Sequence, residues 1–325
     1  MIIVKFCSGL GNQLFQYALY YSMKKKYPNQ TVLADVSVFA DINKLNAGNG
    51  FNYGFALNEF FELDIDIANR EEIEKVNYEI KLLGWYRKLL TVSLCRMIVG
   101  NSIVAKIRAK ILPKYRKLKK NYITAEPFNS YNGTVFSLDL DSDYYMSGLW
   151  QNYKYFERYG EELRENIRFR KALSNEAQHY VEELKCANSV VVHVRRGDFT
   201  NPIYNESHNI CGRKYYDDAM KLIRTMVDNP VYYVFSDDIE YCRTMFTGID
   251  NIIFVSESNI FRVDEELQLM SICKNIIISN STFSYWAGWL GEKHKNVICP
   301  TYAEKRKMQW CELEAPKEWK RVDNI

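Results

Sequence analysis

Hydrophobic and polar positions along this chain come in blocks of two periods. Ile2–Phe6, Thr31–Ala34, Ser189–Val194, Val231–Phe235, Ile252–Val255, Asn275–Ile278 and Asn296–Cys299 are short apolar runs, each leading into a polar loop. Runs of that kind read as strands buried on both faces of a parallel sheet. Between them, Leu14–Lys26, Asn175–Lys185, Tyr215–Val227, Asp264–Lys274 and Phe283–Leu290 carry apolar residues at helical spacing. Asp143–Trp150 reads as the strand that closes the first half. Lys154–Phe169 reads as a helix with Tyr155, Phe156, Tyr159, Leu163 and Ile167 on one face. The rhythm restarts after Arg170–Ser174, which places a boundary between a domain over 1–170 and a domain over 171–325. Alternating strand and helix in both halves predicts a two-domain α/β protein with a cleft between the halves.

Composition narrows this only a little. A chain of 325 residues with 47% hydrophobic and 26% charged residues is ordinary for a globular protein. Its 24 Tyr, 17 Phe and 6 Trp suit a sugar-handling surface, or simply fill core edges. Charge is uneven: residues 81–120 hold twelve Lys or Arg and no Asp or Glu. This basic stretch, interleaved with apolar clusters, reads as a helical insertion. It either docks on an anionic membrane surface or packs, solvated, on the domain. It lacks a recognisable nucleic-acid module, so nucleic acid is not expected as a partner. The eight cysteines form no CxxC pair, and no His stands at zinc spacing, which reads as reduced thiols of a cytoplasmic protein. Met1–Phe6 reads as a first strand rather than a signal peptide, and no stretch is apolar enough to span a bilayer.

The chemistry gathers at strand ends, where open α/β sheets bind ligands. His193-Val194-Arg195-Arg196-Gly197-Asp198 follows Ser189–Val192, Ser236-Asp237-Asp238 follows Val231–Phe235, and Ser279-Asn280-Ser281-Thr282 follows Asn275–Ile278. In a parallel sheet all three reach one rim. Arginine forks suit phosphate oxygens. Ser281 and Thr282, with the N–H groups opening the next helix, form an anion site. Asp237 or Asp238 can accept from a guanine edge. The bland alternatives are an ion pair between Asp198 and the arginines, and a helix cap for the second group. Gly9-Leu10-Gly11-Asn12-Gln13 lacks the spacing of a dinucleotide fingerprint and the Lys-Ser/Thr of a P-loop. It reads as a close-approach turn that places the amides of Asn12 and Gln13 in the cleft, facing a hydroxyl-rich ligand.

Three segments carry a family resemblance. Gly9–Ala18 is similar to the opening motif of the bacterial α-1,2-fucosyltransferases, glycosyltransferase family 11. Val192–Asp198 resembles the arginine motif that this group shares with α-1,6- and protein O-fucosyltransferases. Glu266–Ser271, Cys273-Lys274 and Ser279–Trp286 resemble the third motif, although Tyr285 stands where Trp is common and Ala287-Gly288 where Gly-Ala is common. The resemblance implies a GT-B fold of two Rossmann-like domains facing across a cleft, donor in the second. It implies metal-independent, inverting transfer of fucose from GDP-β-L-fucose to the 2-hydroxyl of a terminal galactose. GDP-fucose is then donor substrate, and no separate cofactor is expected. The acceptor is a galactose-terminated glycan, in surface glycan or O-antigen synthesis, at the cytoplasmic face of a bacterial membrane.

Carried onto this sequence, the resemblance gives Arg195 the β-phosphate, His193 the ribose or phosphate, and Asp237 or Asp238 the guanine. Ser281 and Thr282 take phosphate, and Asn12 faces fucose or acceptor. The base that takes the acceptor proton is not named by the motifs. Asp198 stands beside the arginines but also suits a role orienting Arg196, and Asp35 is its rival. Two other readings stay open. Asp139-Leu140-Asp141-Ser142-Asp143 offers the DxD of a metal-dependent GT-A transferase. A non-catalytic binder of nucleotide sugar or glycan would keep the arginines and need no acceptor site.

Overall fold

The computed structural model describes residues 1–39, 54–77, 121–125, 130–202, 205–208, 210–256, 261–291, 296–306 and 309–325. The basic stretch 81–120, with its membrane reading, lies outside the described residues. No described helix is long and apolar enough to cross a membrane. The chain divides into two compact units. The first comprises Met1–Ser8, Phe15–Phe55 and Asp64–Trp150. The second comprises Gly9–Leu14, Ala56–Leu63 and Gln151–Ile325. The division thus falls after Trp150 instead of at 170/171, and the Gly9–Leu14 segment clusters with the second unit.

In the first unit four strands, β1 (Ile2–Lys5), β2 (Val32–Asp35), β3 (Tyr122–Thr124) and β4 (Tyr144–Ser147), form one parallel sheet in the order β2-β1-β4-β3. α1 (Leu10–Lys26) follows β1. It starts four residues before the expected Leu14, because Asn12 and Gln13 both bond back to the Gly9 carbonyl at 3.0 Å. The glycine-rich segment is therefore the first turn of a helix rather than a loop. Ile3, Leu33 and Tyr145 of the sheet pack with Ile73 and Val76 of α3 (Arg70–Val76). A capping box starts that helix: Asn69 accepts from the Glu72 N–H, and Glu72 accepts from the Asn69 N–H.

The second unit adds α2 (Leu57–Phe60) and, after Gln151, α4 (Gly160–Asn166) and α5 (Asn175–Lys185). The helix expected over Lys154–Phe169 is broken. Tyr153–Tyr155 and Glu157–Tyr159 are tight 3-10 turns, and only Gly160–Asn166 is α-helical. Phe156 there stacks 5.5 Å from Trp286 and meets Trp289 edge-on, so aromatic packing overrides the helical spacing. The sheet runs β12-β9-β8-β5-β6-β7, all parallel. Its strands are β5 (Ser189–Val194), β6 (Val231–Ser236), β7 (Ile252–Phe254), β8 (Asn275–Ile277), β9 (Asn296–Pro300) and β12 (Lys320–Val322). The helices of this half are α6 (Asn205–His208), α7 (Arg213–Ile223), α8 (Ile239–Met245), α9 (Val263–Ile272) and α10 (Thr282–Leu290). An antiparallel hairpin, β10 (Tyr302–Arg306) with β11 (Gln309–Glu312), stands apart from the sheet.

β5 is buried at every position, as its Val-rich run requires. Val190, Val192 and Val194 pack with Tyr215, Tyr216, Met220 and Ile223 of α7. Many of the large aromatics are core rather than surface: Trp286, Trp150, Tyr215, Tyr216 and Tyr285 are all buried. The seven described cysteines are free thiols. Both units are thus α/β with a fully parallel sheet, the Rossmann-like, GT-B-type pair that the resemblance implied.

Candidate functional site

Sheet order decides where the polar motifs meet. β8, β5 and β6 are neighbours and parallel, with Val192 opposite Ile277 and Val194 opposite Ser236. Arg195, Asp237 and Ser279 therefore leave three adjacent strands at the same edge, the carboxyl edge where α/β sheets hold ligands.

At the centre of that rim Arg195 is held from two sides. Asp198 Oδ1 accepts from its Nε at 3.1 Å and its Nη2 at 2.7 Å. Asp237 Oδ2 lies 2.7 Å from its Nη1. The Arg195 side chain keeps 27% exposure, so it is oriented yet not closed off from solvent. Arg196 does a different job. Its backbone N–H donates to Asp237 Oδ1 at 2.8 Å, and its guanidinium lies 3.7 Å from the Tyr241 ring centre. Asp237 thus uses one oxygen on each arginine. Gly197 follows because a side chain there would run into Asp237.

Several expected roles change here. Asp198 anchors Arg195, not Arg196. Asp237 has both oxygens engaged by the arginine pair. Asp238 caps α8: its carboxylate accepts from the Tyr241 N–H at 3.1 Å, and its own N–H donates to Ser236 Oγ. Sequence reasoning passed over the carboxyl that remains, Glu266 on α9. Burial pushes its pKa up, a Ser256 hydrogen bond lowers it, Asp237 raises it and Arg195 lowers it, leaving it at about 7. Its presence in the third motif was the one available signal. Its titration depends on groups 10 to 71 residues away.

His193 is buried at the end of β5, with Nδ1 3.0 Å from Ser279 Oγ. Burial, reinforced by the positive charge of Arg195, lowers its pKa to about 3. It is therefore neutral at physiological pH, able to donate from one nitrogen and accept at the other. Ser281 caps α10, accepting from the Phe283 N–H at 3.3 Å. Its neighbour Thr282 opens the nine-residue helix, whose N–H groups and dipole favour an anion.

The Gly9–Gln13 turn meets that same helix end. A methyl on Gly11 would lie 2.6 Å from the Thr282 carbonyl carbon and 2.7 Å from the Phe283 nitrogen. Trp286 Nε1 donates to the Gly11 carbonyl at 2.9 Å. Glycine is required because α1 and α10 touch backbone to backbone. Asn12 is half-buried and accepts from Gln151 Nε2 at 2.6 Å. Gln13 does not face a ligand. It is fully buried, and its side-chain oxygen accepts from the Ala56 N–H at 2.9 Å.

In the first unit, Asp35 is buried and accepts from the Tyr145 hydroxyl at 2.5 Å and from the Ser37 N–H. The DxD stretch folds on itself. Asp139 accepts from the Asp141 N–H and the Ser142 hydroxyl, while Asp143 pairs with the Met1 ammonium and Lys75.

Two parallel-sheet α/β units, one with a cationic, dipole-lined rim at its strand ends, define the chain as a GT-B-type protein. It belongs to glycosyl transferase family 11, matched over residues 1–323, and is therefore a glycosyltransferase. It is 29% identical to an alpha-1,2-colitosyltransferase of Escherichia coli, over 99% of each chain. It is 26% identical to a galactoside alpha-(1,2)-fucosyltransferase 1 of Mico humeralifer, over 45% of this chain and 42% of that one. Among solved structures it is similar to the fucosyltransferase NodZ from Bradyrhizobium, with a TM-score of 0.45 and 13% identity over 89% of this chain and 91% of that one.

Proposed function

We propose that the protein transfers L-fucose from GDP-β-L-fucose to the 2-hydroxyl of a terminal galactose, with inversion and without a metal ion. The observation that carries this reading is Arg195, aimed by Asp198 and Asp237 at the strand-end rim beside the start of α10. A leaving diphosphate develops negative charge as the sugar–oxygen bond breaks. A fixed guanidinium and oriented N–H groups stabilise that charge without reorganising. The glycosyl centre is oxocarbenium-like, so much of the rate comes from the leaving group. Neutral His193 contacts ribose or phosphate, Ser281 and Thr282 lie against phosphate, and Asn12 meets the sugar side. Glu266, with the arginine cluster beside it, is the carboxyl we assign to the guanine edge. The acceptor is a galactose-terminated surface glycan such as an O-antigen unit, made on the cytoplasmic side.

A second donor is favoured by one observation: the relative matched over the whole chain is named a colitosyltransferase. Colitose is fucose without its 3-hydroxyl. A site built to hydrogen-bond that hydroxyl rejects the deoxy sugar strongly, whereas an apolar wall discriminates weakly. Both donors are therefore assayed with a panel of β1-3 and β1-4 galactosides in excess EDTA. Transfer of fucose to the 2-hydroxyl is the expected result. Loss of activity in EDTA removes metal independence. GDP binding without transfer or hydrolysis favours the non-catalytic alternative.

A further inference from the structure

We propose that Ser207, His208 and Glu304 form the relay that takes the proton of the incoming acceptor hydroxyl. The proposal rests on the reading above that a hydroxyl is glycosylated at this site. His208 ends α6 with Nδ1 2.6 Å from Ser207 Oγ, and its Nε2 lies 3.2 Å from Glu304 Oε2 on β10. Glu304 is only 6% exposed. A buried carboxylate needs a donor, and Nε2–H supplies it. In the tautomer that places this proton on Nε2, Nδ1 is the acceptor for the Ser207 hydroxyl. A hydroxyl, an imidazole and an orienting carboxylate in series are the parts of an activated hydroxyl.

Position supports the assignment. Phe199 neighbours both halves of the chemistry. The Arg195 guanidinium is 5.9 Å from its ring centre, and the His208 ring is 5.2 Å from it. One aromatic ring is thus a shared neighbour of the leaving-group clamp and the imidazole. Inverting displacement needs its base on the face opposite the leaving group. Asn280 fixes the arrangement to the rim. Its side-chain amide donates to the carbonyls of His208 and Ala303, both at 2.8 Å. A residue of the third strand-end motif therefore ties both α6 and β10 in place. Among the described side chains, the charged groups on His208's own helix and the neighbouring elements are Glu206 on α6, Glu304 and Lys305 on β10, and Asp198 on the turn that carries Phe199, with Arg195 beyond. Lys305 is directed onto Trp310, 5.1 Å from its ring centre.

In the step itself, the acceptor oxygen bonds to the anomeric carbon as the bond from that carbon to the β-phosphate oxygen breaks. The bonding pair leaves on GDP. The acceptor proton passes to Ser207 Oγ while the Ser207 proton passes to His208 Nδ1, and Glu304 stabilises the imidazolium.

The test compares the full chain with S207A, H208Q and E304Q, measuring fucosyl transfer from about pH 5 to 9 and GDP affinity by calorimetry. H208Q is expected to lower kcat by roughly 10²–10⁴-fold. E304Q is expected to lower kcat as well, because the imidazolium loses its counter-charge. GDP affinity stays within about twofold in all three. A wild type that transfers no sugar overturns the functional reading itself. An active wild type with H208Q and S207A within about threefold of it overturns the relay alone. So does loss of GDP binding in step with kcat. S207A removes one hydroxyl and no charge, so it decides the matter if H208Q fails to fold.

Discussion

Replacing Gly11 by alanine sets two effects of opposite sign against each other. Gly11 lies in the first turn of α1, where alanine in place of glycine ordinarily gains about 1 kcal/mol. Here the new methyl would stand 2.6–2.7 Å from backbone atoms of Thr282 and Phe283. Backbone cannot swing aside as a side-chain tip can, so one helix must shift. Overpacking of this kind costs about 3 kcal/mol at the upper end of its usual range. The clash exceeds the helical gain, and a net loss of about 2 kcal/mol is expected. For a chain of this size, with an unfolding entropy of about 2.1 cal/mol/K per residue, that lowers the thermal midpoint by roughly 3 °C. Because Thr282 opens the helix that we place against phosphate, GDP affinity falls as well. Differential scanning calorimetry with GDP titration reads both. A variant as stable as the wild type or more so would refute the close approach of α1 and α10.

Other outcomes follow from the same structure. Arg262 contacts the buried Asp264 and Glu265 at 3.0–3.1 Å, so Arg262→Ala leaves two buried carboxylates without their cation. The half-exposed arginine puts the cost near 3 kcal/mol, the low end for a broken buried pair, readable by urea denaturation. Burial raises the Glu265 pKa, but hydrogen bonds from Arg262 and Ser174 and the Arg262 charge lower it on balance. Its stabilisation is therefore full above the usual Glu value and lost as pH falls through the native one. In Arg262→Ala that acid-dependent loss is smaller. His193, held neutral with a pKa of about 3, binds its proton more readily when unfolded. Stability from this residue is full above about pH 6.5 and declines as pH falls toward 3. Its ring signals in NMR are expected to stay constant from about pH 5 to 8, and a midpoint near 6.5 would contradict its burial. Glu266→Gln is expected to remove a rise in GDP affinity that the wild type shows as pH passes about 7, where this carboxyl ionises.

What was legible in the sequence, and what was not, divides along the range of the interactions. β5 and α5 match their expected bounds because a Val-rich strand and an evenly spaced helix carry their burial locally. The meeting of three motifs at one rim followed from parallel strands. Partners across the chain were not legible. Gln13 looked like a ligand amide in a turn, yet its acceptor is spent on the Ala56 N–H, 43 residues away. Asp237 looked like a free carboxylate until it bridged to Arg195 and Arg196. Glu266 stood inside a recognised motif without a visible role, since nothing in its neighbours along the chain announces burial beside Asp237 and Arg195. The Lys154–Phe169 spacing is helical on paper, but the chain breaks into two 3-10 turns where Phe156 packs on Trp286 and Trp289, partners some 130 residues away.

The central claim is that Arg195 holds the departing diphosphate of a GDP-sugar. It is tested most directly by single-turnover transfer from GDP-fucose to a β-galactoside by wild type and Arg195→Ala, in EDTA, with the product linkage read by NMR. The wild type is expected to give the α-1,2-linked fucoside, and the variant a rate lower by roughly 10³-fold with its fold intact. A variant that transfers at near-wild-type rate, or a wild-type product linked elsewhere than the 2-hydroxyl, would contradict it.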